Sequence, residues 1–184
     1  CMYGKLDVQK CIAQVSEIGA ACIDLWPPSH GDQRNQIDSI GHNHYLRACV
    51  AAGVKPQMTT RYDLGPFGLS DEIEVVKQLG GKMIVCGSTA NSQGSLKQQV
   101  GEFIEKMRPF VAIAEEAGVI IAIENHSNAL INSPDSLKYF ADMNPSANLG
   151  IALAPYHLPQ NSQVIGKLIE HCNKSIVHFY AWEH

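Results

Sequence analysis

A glutamate that follows Val119-Ile120-Ile121-Ala122-Ile123 without a break needs a physical reason to be there. A buried charge costs several kcal/mol unless it is paired or bound to a metal, so Glu124 is the sharpest candidate for chemistry in the chain. His178 follows Ile176-Val177 in the same way. One carboxylate oxygen and one imidazole nitrogen, offered from separate strands, suit Mn²⁺, Co²⁺, Mg²⁺ or Zn²⁺. Each residue also has a plainer reading. Glu124 could be salt-bridged to Arg61 or a neighbouring lysine, and His178 could be a neutral, hydrogen-bonded core residue. Taken together, the two favour a metal.

The elements that must hold these side chains recur along the sequence. A helical pattern at Val8 to Ile18 closes at Gly19 and leads into the apolar run Ala20 to Trp26. A second unit runs from about Ile37 to Gly53, followed by Val54 to Thr60. A third helix starts at Ser70, read as its N-cap with Glu72 and Glu74 in the first turn, and is followed by Lys82 to Cys86. A long helix from about Ser95 to Ala117 precedes Val119 to Glu124. Pro134 to Met143, capped by Ser133, precedes Leu149 to Leu153, and Ser162 to His171 precedes Ser175 to Tyr180.

Helix, glycine, apolar strand and polar loop thus repeat six times. Strands this uniformly apolar, alternating with helices, imply parallel βα units. No GxGxxG or GxxxxGK[ST] follows any of them, so nothing supports a nucleotide-binding open sheet. Six units in 184 residues extrapolate to eight in about 250, the usual size of a (β/α)8 TIM barrel. The expected fold is therefore an α/β barrel, present here as six of its units in a single partial domain; the resemblance described below implies that they are about strands 2 to 7.

In such a barrel the C-terminal strand ends face the active site. In order they carry Asp24 and Trp26, Thr59 and Arg61, Cys86 and Ser88, Glu124 and His126, His157, then His178 and Trp182. His157, just past a strand, is open to three readings: ligand, substrate contact or turn residue. Trp26 and Trp182 could supply aromatic walls for the apolar faces of a sugar, although core aromatics would look the same. His30, His42 and His44 stand in polar surroundings and read as solvated.

Composition narrows the partners. A charged fraction of 17% and 45% hydrophobic residues suit one sizeable core. With 14 Lys plus Arg against 18 Asp plus Glu, and no basic run, nucleic acid is not an expected partner. No apolar run reaches the roughly 18 residues of a membrane span. The cysteines at 1, 11, 22, 49, 86 and 172 form no CxxC pair and sit mostly in apolar segments, which favours reduced core thiols in a cytoplasmic protein.

At the candidate residues the sequence resembles the xylose isomerase-like (AP endonuclease family 2-like) TIM barrels. The likeness is to the sugar phosphate isomerase/epimerase group with its tagatose 3-epimerase relatives. The segments that carry it are EIGAACIDLW (17–26), AEEAGVIIAIENHS (114–127), LGIALAPYHLP (149–159) and IVHFYAWEH (176–184). The resemblance implies a divalent metal held by a strand-five Glu, a strand-six Asp, a strand-seven His and a strand-eight Glu. Glu124 matches the first and His178 the third. Ala154 stands at the Asp position, a departure that His126 or His157 could offset, and His157 matches a histidine near the substrate.

The resemblance also implies strand one before Cys1 and strand eight, with its Glu, after His184, so the chain reads as a fragment. The implied activity is a metal-dependent sugar isomerase or epimerase, moving a proton next to a carbonyl through a metal-stabilised enediolate, with Glu124 as catalytic base. His157, Trp26, His126 and Arg61 would contact a small-molecule sugar or sugar derivative, and a homo-oligomer is compatible. Three competing readings are a non-catalytic or degenerate sugar-binding barrel, a lyase or dehydratase of the same superfamily, and an endonuclease at abasic DNA sites.

Overall fold

The computed structural model describes residues 3–4, 6–27, 30–89 and 93–181. Among these residues six strands alternate with helices: β1 (Cys22–Leu25), β2 (Lys55–Thr60), β3 (Met83–Cys86), β4 (Ile120–Glu124), β5 (Leu149–Leu153) and β6 (Ile176–Phe179). They pair in parallel, in sequence order β1-β2-β3-β4-β5-β6, as one half-barrel sheet. Among the described residues β1 and β6 do not pair with each other, so each is bonded along one edge only. The expectation of parallel βα units therefore holds, and no six-stranded closed barrel forms.

Among the described residues seven α-helices accompany the sheet: α1 (Val8–Glu17), α2 (Gln33–Ile40), α3 (His42–Ala52), α4 (Ser70–Gln78), α5 (Leu96–Ala117), α6 (Pro134–Met143) and α7 (Ser162–Cys172). Besides shifts of a residue or two at element ends, the helices before β2 and β3 differ from the sequence reading. The helical unit before β2 is broken in two at Gly41, whose φ of 86° is a left-handed value open to glycine and costly for other residues. In α4, Ser70 is the first helical residue and not the cap, a position taken by Leu69. The caps at Ser95 and Ser133 both form capping boxes, with Gln98 and Ser136.

Alternation along the strands sorts side chains between two faces. Ile84, Cys86, Ile121, Ile123, Ile151 and Leu153 face the helices, where Phe103, Met107, Leu137, Phe140 and Leu168 cover them. The other face carries a much smaller apolar set, Met58, Val85, Ala122 and Ala152. That thin inner layer leaves room for polar groups at the strand ends.

A bulge tunes the inner face. Ile151 pairs with Ile176, but Ala152 pairs with His178, so Val177 is an extra residue. Strict alternation from Ile176 would turn His178 toward the helices. The insertion returns it to the inner face beside Ala152. Gly150 permits this, because a Cβ there would lie 2.6 Å from both Val177 methyl carbons.

Of the five cysteines described, none is in a disulfide. Cys11, Cys49, Cys86 and Cys172 are buried as expected, whereas Cys22 is exposed at the free edge of β1. Among the described residues no helix is long and apolar enough to cross a membrane.

Candidate functional site

Glu124 ends β4 and is 1% exposed. Its Oε1 accepts a hydrogen bond from the Tyr156 hydroxyl (3.1 Å) and lies 3.9 Å from His157 Nε2. Its Oε2 is buried without a hydrogen-bond partner. Burial pushes this carboxyl up to about 7, against the Tyr156 hydrogen bond and the charge of His126, while the charge of Asp24 raises it further. A carboxyl poised there can take or give a proton near neutral pH.

The loop residues after β4 and β5 gather around it. The His126 and His157 rings meet at a tilt of 57° with centroids 4.1 Å apart, and Tyr156 meets His157 at 4.4 Å. Asn125, fully buried, ties the two strand ends together. Its Nδ2 donates to the Ala154 carbonyl (2.9 Å), and the Ala154 N–H donates to its Oδ1 (2.7 Å). His178 lies one strand further on, in register with Ala152, which in turn faces Glu124. The two sequence-picked residues thus share the inner face with β5 between them. Burial lowers the His178 pKa, keeping its imidazole neutral, and Tyr180 packs edge-on against it at 4.6 Å.

Asp24 in β1, one of the strand-end residues of the sequence but given no role there, lies on the same inner face. Its Oδ2 accepts hydrogen bonds from the Trp26 indole N–H (2.7 Å) and the Thr60 hydroxyl (2.8 Å). Its Oδ1 is buried and unpartnered, and burial raises the carboxyl to about 7 despite those two bonds. The sequence signal was the same as for Glu124: a carboxylate inside an apolar run, with Ile23 and Leu25 on the opposite face. Asp24, Trp26, Tyr156 and Tyr180 line one cavity of about 380 Å³, walled on its other side by Cys11, Val15 and Gln33. The sheet therefore bends far enough for its first strand and the end of its sixth to share a cavity.

Trp26 reaches this cavity, its ring edge-on to His30 (5.0 Å) and Tyr62 (5.6 Å). Arg61 does not join the cluster. Its guanidinium is held by Asp63 (3.0 and 2.9 Å) and by Glu72, and among the described residues it forms no salt bridge to Glu124. Trp182 lies outside the described residues. His42 and His44 sit on the surface, bonded to Asp38 with Gln78 and to Gln9.

Parallel strands whose C-terminal ends carry Asp24, Glu124 and His178 on one inner face, with Tyr156 both lining the cavity beside Asp24 and bonded to Glu124, define an α/β barrel protein with a strand-end site. The chain belongs to the xylose isomerase-like TIM barrel family, whose model matches residues 12–181. Among solved structures it is similar to the IolI protein with a binding zinc atom, at TM-score 0.76 and 16% identity over 96% of this chain and 68% of that one. It is also similar to the probable 3-DHS dehydratase AsbF from Bacillus anthracis, involved in petrobactin synthesis (TM-score 0.75, 14% identity, 95% of this chain and 67% of that one). A third is the apo form of 3-keto-D-glucoside 4-epimerase, YcjR, from E. coli (TM-score 0.72, 14% identity, 94% and 73%). At these identities the likeness is one of fold. No curated protein sequence matches the chain.

Proposed function

We propose that this chain is the larger part of one barrel domain of an enzyme that moves a proton at a carbon next to a carbonyl, in a sugar or sugar derivative. Epimerisation or isomerisation is the reading we favour. One observation carries it: the buried Glu124 carboxyl at the strand end, with Oε1 fixed by Tyr156 and Oε2 left open. A base must be oriented, desolvated and matched to neutral pH, and Glu124 meets all three conditions. That relatives of this fold include a keto-glucoside epimerase and a dehydratase supports the reaction class.

In the proposed roles Glu124 removes the proton. Tyr156 holds the carboxyl and tunes it. His126 and His157 border the ligand, and Trp26 offers a ring face to its C–H bonds. A divalent metal fits in part. Glu124 Oε2 is an open buried oxygen and His178 a neutral imidazole on the same face, so these two would hold it. When bound, such a metal supplies positive charge that stabilises negative charge on a substrate oxygen. Ala154 adds no donor, and among the described residues no three His, Cys, Asp or Glu are grouped to hold a metal.

That shortfall favours a second reading, a sugar-binding barrel without turnover. Ketohexoses and 3-keto-D-glucosides incubated with the full chain in D₂O separate the two. Uptake of solvent deuterium at the carbon beside the carbonyl is expected. Binding without any deuterium uptake would favour the second reading and overturn the first.

A further inference from the structure

The two oxygens of Asp24 are treated differently. Oδ2 is fixed by two donors, Trp26 and Thr60, whereas Oδ1 is buried, has no partner and belongs to a residue lining the 380 Å³ cavity. Tyr180 lines the same cavity. Its hydroxyl is buried and makes no hydrogen bond of good geometry; its one polar neighbour of note is the Thr60 hydroxyl, which already donates to Asp24 and so leaves the Tyr180 proton weakly held. Thr60 is thus the common neighbour of both groups. Each unmade hydrogen bond of this kind costs ~1–3 kcal/mol, so two on one cavity point to a ligand atom that completes them.

The chemistry of that atom follows from what the two groups offer. With Oδ2 already accepting twice, the acid proton of neutral Asp24 belongs on Oδ1, and burial favours the neutral acid. The Tyr180 phenol is a donor as well. Two neutral donors on one cavity suit an oxygen acceptor, above all one that gains negative charge, and in a dry site such donors are strong.

We infer that Asp24, as the protonated acid, and Tyr180 form a donor pair for the oxygen on which negative charge builds as Glu124 takes its proton. This rests on the proton-transfer reading and adds where the charge is received. Tyr156 links the two walls, since it lines the cavity and donates to Glu124. In the step, the C–H bond breaks, its proton goes to Glu124, and its electron pair moves toward the carbonyl oxygen. Asp24 and Tyr180 keep their own protons and hold that oxygen by hydrogen bonds.

The test needs no knowledge of the natural substrate. 4-Nitrophenol carries an oxygen whose ionisation is visible as colour, and 4-nitroanisole is its uncharged counterpart. The full chain is expected to bind the phenolate more tightly than the anisole. Tyr180→Phe keeps the ring and should cost about 10-fold or more in phenolate affinity while leaving the anisole unmoved. Asp24→Leu should do the same. Asp24→Asn, whose amide presents a donor in place of the acid O–H, should retain most of the phenolate affinity; a carboxylate role would be lost in that variant.

Equal binding of phenolate and anisole, no binding of either, or a Tyr180→Phe without effect overturns the donor pair. Failure of the Glu124 reading shows elsewhere. Sugars that take up no deuterium, alongside intact phenolate selectivity, would overturn the proton transfer and the pair's part in it.

Discussion

Glu72 and Glu124 are both almost wholly buried, at 3% and 1% exposure, yet their surroundings differ in kind. Glu72 in α4 is gripped by Arg34, with Nε donating to Oε1 and Nη2 to Oε2 (2.9 Å each), and Arg61 adds a further bond to Oε2. Arg34 and Arg61 extend the network to Asp38 and Asp63. Every oxygen of Glu72 is satisfied by a cation. Among the described residues no guanidinium or ammonium reaches Glu124, which has the His157 imidazole 3.9 Å from Oε1, one bonded oxygen and one bare one; Asp24, at the other end of the inner face, likewise keeps one bonded and one bare oxygen. A buried carboxylate with its charge cancelled is structural. One left without a cation is strained toward its neutral form and is free to act on a ligand.

The comparison is most easily broken at Glu72. Glu72→Gln leaves two guanidiniums, one of them deeply buried, without their counter-charge, and should cost about 3–5 kcal/mol in denaturant unfolding. A loss below about 1 kcal/mol would show that the pair is not structural.

Asp24 and Glu124 should leave the opposite signature in pH. Their ordinary values are 3.8 and 4.5, and both rise to about 7 in the folded chain. Through that window the folded state holds protons that the unfolded chain has released. Stability should therefore fall by a few kcal/mol as pH climbs from about 4 to 7, with no further loss from these groups above it. Asp24→Asn with Glu124→Gln should flatten the profile. A wild-type profile already flat in this window would contradict the raised values.

The smallest effect concerns positioning. Gly150→Ala should force Val177 aside at a cost of ~1–3 kcal/mol and loosen His178 on the inner face. Loss of the His178–Tyr180 contact in ring-proton NMR spectra would accompany it; an unchanged contact and stability would remove Gly150 from the account.

Much of this was legible in the sequence, and for a physical reason. Uniformly apolar strands ended by a polar residue expose both the βα repeat and Glu124 at once, because the strand interior tolerates no charge without cause. Asp24 obeys the same rule within CIDLW, and the neighbouring tryptophan proves to be its hydrogen-bond donor. Arg61 looked like a site residue because it ends a strand; its partner Glu72 looked like a helix-turn charge. Neither role can be read without the fold that brings Arg34 to Glu72 across 38 residues. The Val177 bulge left one trace, a glycine inside a strand. Tyr156 and Tyr180 left none, because a tyrosine beyond a strand acquires meaning only when the sheet bends.

The central claim is that Glu124 is buried for chemistry and not for stability. Glu124→Gln keeps its size and removes its charge. Measured with the full chain on a ketohexose or 3-keto-D-glucoside that the wild type labels in D₂O, it should slow deuterium uptake by about 10²-fold or more while thermal unfolding stays unchanged or rises. Undiminished exchange together with a lowered unfolding temperature would contradict the account, and would make Glu124 a second Glu72.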